Sequence, residues 1–159
     1  MSSGAQKARV SVADWRVVDG DRVLVTSGLG SCVAVTVHDP DAGIGGLLHA
    51  MLPSAPSPVD APAKYVDSGL DEMLSAMYQR GASPDNVAAK VVGGSAMLDI
   101  SVGEAIGERN VEATERALDE AGVPLVAAET GGSSGRSVSF CPTSGDVTID
   151  RVDSEVDVI

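Results

Sequence analysis

Cysteine and histidine are scarce in this chain: two of each in 159 residues, Cys32 and Cys141, His38 and His49. Two cysteines build no disulfide framework and cannot alone supply a cysteine-rich zinc site, and no metal is expected. Lysine is nearly as rare, with only Lys7, Lys64 and Lys90, and the formal net charge is −12. A phosphate backbone is held by clustered Lys and Arg, so nucleic acid is excluded as a partner and an anionic membrane surface is disfavoured. The acids are scattered rather than clustered, which describes an evenly solvated surface and would suit a high-salt, for instance haloarchaeal, cytoplasm. No apolar run approaches the length of a bilayer crossing; residues 33–37 are among the longest, so no direct membrane insertion is expected. Residues 1–10 have neither the apolar stretch nor the small-residue cleavage site of a secretory signal, so a cytoplasmic location is expected. Phosphate motifs are missing too. Gly28-Leu29-Gly30 has no third glycine at position 33 and enters a strand, there is no Walker A sequence, and there is no Gly-x-Ser-x-Gly elbow.

What remains is a globular chain, 43% hydrophobic, of the length of one ordinary domain. Residues 1–10 read as a flexible N-terminal tail and 11–159 as a single domain. Residues 10–18 and 22–26 have strand character around the Asp19-Gly20-Asp21 turn. Residues 32–38 alternate: Val33, Val35 and Val37 define a core face, and Cys32, Ala34, Thr36 and His38 a small, polar one. Residues 39–43 are a turn by composition, and 44–51 return as a strand. Four prolines, Pro53, Pro56, Pro58 and Pro62, keep 53–63 as a loop. Over residues 65–80, Val66, Leu70, Met73, Leu74 and Met77 recur at helical spacing, with Gly81 and Pro84 as the stop and the methionines as core filling. Residues 87–92 form a strand, Asn110 is a candidate N-cap of a second helix ending before Gly122, and strands follow at 125–128, 136–141 and 147–152. Many strands and two main helices without strict alternation predict an α+β fold, layered, with mixed or antiparallel sheets.

Cys32 and His49 are the pair that could do chemistry. If His38 pairs with Gly43 around a four-residue loop, antiparallel register sets Cys32 directly opposite His49, where Cβ atoms stand about 4.5–5.5 Å apart. His38, six residues along Cys32's own strand, would be roughly 20 Å away. A cysteine nucleophile needs an imidazole or converging donors to stabilise its thiolate. His49 would serve as the first. The Gly28-Leu29-Gly30-Ser31 turn would supply the second, with the backbone of Gly30 and Ser31 as an oxyanion hole. Thr26 is the candidate to orient the imidazole. On residue types alone, Cys32 is equally readable as a small core residue, His49 as structural and the glycine turn as a turn; a Cys32–Cys141 disulfide is disfavoured in a cytoplasmic chain. The stretch Gly131-Gly132-Ser133-Ser134-Gly135-Arg136 reads as a hairpin loop, with an anion nest as the alternative.

The string Thr26-Ser27-Gly28-Leu29-Gly30-Ser31-Cys32, followed by Ile44-Gly45-Gly46-Leu47-Leu48-His49 and Pro53, resembles the CheD family of chemoreceptor glutamine deamidases. Further matches run through Tyr65-Val66-Asp67, Lys90 to Gly94 with Met97, Ile106-Gly107-Glu108-Arg109-Asn110, Thr130-Gly131-Gly132, Gly135-Arg136, and Phe140 with Thr143-Ser144-Gly145. Ser95-Ala96 departs from the expected order, small residue for small. The resemblance covers residues 22–150. It implies a fold similar to the catalytic domain of cytotoxic necrotising factors and a catalytic triad of Cys32, His49 and Thr26. It also implies hydrolysis of receptor glutamine amides to glutamate without a cofactor, methyl-accepting chemotaxis receptors as substrate, and a CheC-type phosphatase as regulatory partner. A binding module that controls CheC, or an amidase or esterase with another substrate, are the rival readings.

Overall fold

Two adjacent glycines on one strand, Gly45 and Gly46, let other layers approach that strand from both sides. In the computed structural model of the protein, which describes residues 6–57, 60–96, 106–151 and 155–159, a Cβ on Gly45 would lie 2.8 Å from the Phe140 ring and one on Gly46 2.8 Å from the Met73 sulfur. Phe140 belongs to a second sheet and Met73 to a helix, so the strand is the middle layer of three. In chain order the elements are β1 (Lys7–Arg9), β2 (Asp14–Asp19), β3 (Val23–Leu29), β4 (Val33–Asp39), β5 (Ile44–Ala50), α1 (Val66–Gln79) and β6 (Ala88–Gly93). They continue with α2 (Ile106–Ala121), β7 (Leu125–Thr130), β8 (Arg136–Phe140), β9 (Val147–Arg151) and β10 (Asp157–Val158). A central sheet has the order β2-β5-β4-β6-β7, and an outer sheet the order β1-β3-β8-β9-β10. Among the described strands, only the β6–β7 and β1–β3 pairs are parallel.

Helices α1 and α2 cover one face of the central sheet. Val66, Leu70, Met73, Leu74 and Met77 of α1, with Ala113 and Leu118 of α2, pack on Val33, Val35, Val37, Leu48 and Val91. The periodic apolar positions read from the sequence are thus the buried stripe of α1, and Gly81, at φ +117°, ends it as expected. The outer sheet covers the opposite face, where Leu24, Leu29, Val138, Phe140, Val147 and Ile149 meet Ala34, Leu47 and Val92. The α+β class with two main helices is the one found. The small, polar face expected of β4 is buried as well: Ala34 and Thr36 are as buried as the valines, because small side chains are what a second sheet can close over. Among the described residues no helix is long and apolar enough to cross a membrane.

Four other expectations change. Residues 131–136 close no hairpin, because β7 before them belongs to the central sheet and β8 after them to the outer one. Residues 7–9, assigned to a tail, pair in parallel with β3 as β1, with Ala8 and then Val10 buried. Residues 10–18 are not one strand. Val10 stays on the outer sheet through its amide to the Val25 carbonyl, Ala13 turns at φ +62°, and β2 then joins the central sheet, so β2 and β3 form no hairpin with each other. Asn110 is no N-cap, since α2 already runs from Ile106 and buries Asn110 completely in its second turn. Residues 1–5, Pro58, Met97 and position 152 of the last expected strand lie outside the described residues.

Phe140, the chain's single phenylalanine, is fully buried where the two sheets meet. Phe140→Ala should destabilise the protein by about 3–5 kcal/mol through lost burial and the cavity left behind, read as a lowered midpoint in denaturant unfolding.

Candidate active site

Thr26 lies on β3 just before that strand breaks register with β8 between Thr26 and Leu29. Through Ser27, Gly28 (φ +74°) and Gly30, whose amide bonds the Gly28 carbonyl at 3.1 Å, the chain leaves the outer sheet and enters β4 of the central sheet. This crossing sets Thr26 and His49 face to face between the layers. The Thr26 hydroxyl stands 2.7 Å from His49 Nδ1 and 2.7 Å from the carbonyl oxygen of Val10. A carbonyl only accepts, so the single hydroxyl proton goes to Val10 and Oγ1 must accept from Nδ1–H. The tautomer follows. Nε2 carries no proton, and it is buried without a hydrogen-bond partner among the described residues. Leaving such a group unsatisfied costs about 1–3 kcal/mol. Burial alone lowers the His49 pKa from 6.5 to about 4, so the ring is a neutral base at ordinary pH.

Cys32 precedes β4 and is half-buried against the cluster between the sheets. Burial raises its pKa above the usual thiol value, partly offset by its own backbone N–H. Its relation to His49 differs from the expected one. Val33 pairs with Ala50 and Ala34 with His49, so Cys32 lies diagonal to His49, on the same face and two residues further out. Diagonal neighbours stand about 7–8 Å apart, within reach of a swung imidazole and thiol but not in direct opposition. The loop keeps four residues but moves one step along the chain, closing on Asp39 and Ile44. Asp39 explains the shift: its buried carboxylate accepts the amides of Asp41 and Ala42 at 2.9 and 3.0 Å, and Gly43 takes the positive φ of the turn.

Three consecutive carbonyls around the cysteine are tied down from one side. Gly30 O accepts from the Ser95 amide at 2.9 Å, Ser31 O from Asn110 Nδ2 at 2.8 Å, and Cys32 O from the Gly94 amide at 2.9 Å. Gly30's amide is taken by Gly28, whereas the amides of Ser31 and Cys32 donate to no backbone carbonyl among the described residues. Of the two backbone groups expected to hold an oxyanion, Ser31 is therefore open and Gly30 is not. Gly93, at φ +116°, makes the close approach possible, since a Cβ there would sit 2.4 Å from the Cys32 carbonyl oxygen.

His38 sits at the far end of β4, edge-on to Phe140, and has no part in this cluster. Cys141 carries a free thiol beside the Thr143 hydroxyl, and Cys32 is likewise unbridged. Among the described residues no three His, Cys, Asp or Glu side chains converge as a metal site. The sequence reading missed the Val10 carbonyl, the Gly93 contact and Asn110 as participants. Only Asn110 carried a signal, as a polar residue in the Ile106 to Asn110 match.

The class defined by this fold and site is a layered α+β protein with a neutral histidine, fixed by a threonine, on the face of a half-buried cysteine. A family model described as CheD chemotactic sensory transduction matches residues 51–151. A probable chemoreceptor glutamine deamidase CheD of Natronomonas pharaonis is 39% identical over 157 residues, covering 97% of this chain and 93% of that protein. The chemoreceptor glutamine deamidase CheD of Thermotoga maritima is 37% identical over 146 residues, covering 92% of each. A crystal structure of a Neisseria meningitidis protein of family DUF152 shares the fold, with a TM-score of 0.50 at 14% identity over 82% of this chain; the chain spans 64% of that protein's length. The chain belongs to the CheD family.

The depressed His49 pKa links the site to stability. Between pH 6.5 and about 4 the unfolded chain binds a proton at this position and the folded one does not, so stability falls as pH is lowered through that window. His49→Gln should show a smaller loss than the parent between pH 7 and 4.5, measured by denaturant titration at both pH values; equal losses would refute the assigned environment.

Proposed function

We propose that the protein deamidates chosen glutamine side chains of methyl-accepting chemoreceptors, acting in the cytoplasm with Cys32 as nucleophile, His49 as base and Thr26 as the orienting group. The observation that carries this reading is the bare Nε2 of His49, buried on the face of Cys32 with its other nitrogen held by Thr26. Family membership and relatives named chemoreceptor glutamine deamidase support the substrate.

Because burial keeps both thiol and imidazole neutral, attack and proton transfer are coupled. The Cys32 S–H proton passes to His49 Nε2 as sulfur bonds to the glutamine Cδ, and the carbonyl electron pair moves onto oxygen. The amides of Ser31 and Cys32, which bond no backbone carbonyl among the described residues, would receive that oxyanion. The imidazolium returns its proton to the amide nitrogen, ammonia departs, and a thioester remains. Nε2 then takes a proton from water, which attacks the same carbon; the thiolate leaves and is reprotonated, and glutamate is released. No cofactor enters this sequence.

Incubation with a receptor cytoplasmic fragment, read by mass spectrometry, should convert particular Gln to Glu. Cys32→Ala should abolish conversion, His49→Ala should lower kcat by roughly 10²–10⁴-fold, and Thr26→Val should fall between that loss and the parent. The kcat/KM profile should lose activity as pH falls through about 4, where His49 takes up its proton. Undiminished conversion by Cys32→Ala would sink the mechanism.

A CheC-type phosphatase as regulatory partner belongs to the same proposal and rests on family membership alone. Added CheC is expected to inhibit deamidation of the receptor fragment competitively; inhibition independent of fragment concentration would argue for a binding surface away from the site.

A further inference from the structure

Main-chain pairing between β4 and β5 ends at Val33 and Ala50. The two groups of interest lie at that frayed end: Cys32 just before β4, and His49 one residue inside the last pair. A diagonal relation between them tolerates little play, yet Ser31 and Met51, the residues on either side of the opening, share no ladder bond. Asn110 fills that place. It is fully buried in the second turn of α2, and its side-chain nitrogen donates to the Ser31 carbonyl at 2.8 Å and the Met51 carbonyl at 3.0 Å. An amide NH₂ has two hydrogens and each carbonyl only accepts, so both hydrogens are committed and the amide cannot flip without setting oxygen against oxygen. Its Oδ1 is left buried without a partner among the described residues. The neighbouring ties, on Gly30 O and Cys32 O, come from main-chain amides. Asn110 is thus the side chain that spans the cysteine loop and the histidine strand.

We propose that Asn110 is a positioning residue for deamidation. It replaces the missing ladder bonds between the Cys32 loop and the end of β5, fixing the span across which the thiol proton reaches His49. By holding the Ser31 carbonyl toward α2, it also keeps the Cys32 amide, on the opposite side of the same peptide group, turned to the substrate. The inference rests on Cys32 and His49 acting as proposed above.

The test is a double-mutant cycle on the alkylation rate of Cys32, which needs no receptor, with Cys141 as the internal control. Rates are taken in the parent, His49→Ala, Asn110→Ala and the double variant. His49→Ala should slow Cys32 in the parent and change it little once Asn110 is gone, while Cys141 reacts alike in all four. Equal slowing in both backgrounds overturns the proposal. With a receptor fragment, Asn110→Ala should lower kcat on the order of 100-fold, the scale of one lost oxyanion donor or a misplacement near 1 Å, and leave KM unchanged. An unchanged kcat in the folded variant, or a raised KM alone, also overturns it. If Asn110→Ala does not fold, Asn110→Ser, which fills more of the space, carries the same readings. Should the parent fail to deamidate the fragment while the alkylation coupling persists, the proposed function falls and the positioning role stands.

Discussion

A threonine hydroxyl has one proton, and in this protein its destination is fixed. Thr26 donates to the Val10 carbonyl, which leaves its lone pair for His49 Nδ1–H and leaves Nε2 bare. Each participant comes from a different piece of the fold: Val10 from the segment after β1, Thr26 from the outer sheet and His49 from the central one. The same N-terminal segment returns to the site through Ala13, whose amide bonds the His49 carbonyl at 2.9 Å. The stacking of the two sheets is therefore a condition of the chemistry. Displacing the outer sheet would remove both the group that orients the imidazole and the layer that keeps water from it.

Burial sets the character of the proposed nucleophile. In an exposed cysteine–histidine pair the ions stabilise each other, whereas here desolvation disfavours both charges, raising the thiol and lowering the imidazole. The resting site is neutral, and charge develops only as sulfur bonds to carbon. Such a thiol offers little thiolate to stray oxidants and alkylating agents, because reactivity of that kind follows thiolate character and exposure. In the proposed reaction, a carbonyl placed to accept the electron pair and donors that receive it would gate the step, and substrate placement, more than an activated thiolate, would control the rate.

Much of this was legible from residue types. Rarity singled out Cys32 and His49, and alternation in 32–38 put Cys32 on the side opposite the valines. The register was two residues off because the loop was closed on His38; the sequence does not show that Asp39 folds its carboxylate back onto the amides of Asp41 and Ala42. The shift preserved the face and changed the spacing, leaving Cys32 diagonal to His49 rather than opposite it. The buried second face of β4 escaped notice for a different reason. Ala34 and Thr36 read only as a small, polar face until a second sheet is known to lie on it, and that sheet joins β1 and β3 to β8, β9 and β10 from the other end of the chain. Asn110 was misjudged because a polar residue near a helix start has a capping role by local rules. Its partners, Ser31 and Met51, lie 79 and 59 residues away.

Close backbone contacts explain why so few side chains shape the site. A Cβ on Gly93 would meet the Cys32 carbonyl oxygen at 2.4 Å, and one on Gly107 would meet the Ser95 carbonyl at 2.5 Å and the Gly94 carbonyl at 2.6 Å. The strand end, the glycine loop and the first turn of α2 thus touch main chain to main chain, with no side chain between them. A backbone pinned in this way resists deformation, since any added atom must displace peptide groups rather than turn a rotamer. Helix α2 is consequently held in one position along the loop, and that position brings Asn110 to the gap between Ser31 and Met51. The glycines place the helix, the helix places the asparagine, and the asparagine joins the two segments that carry the reacting groups.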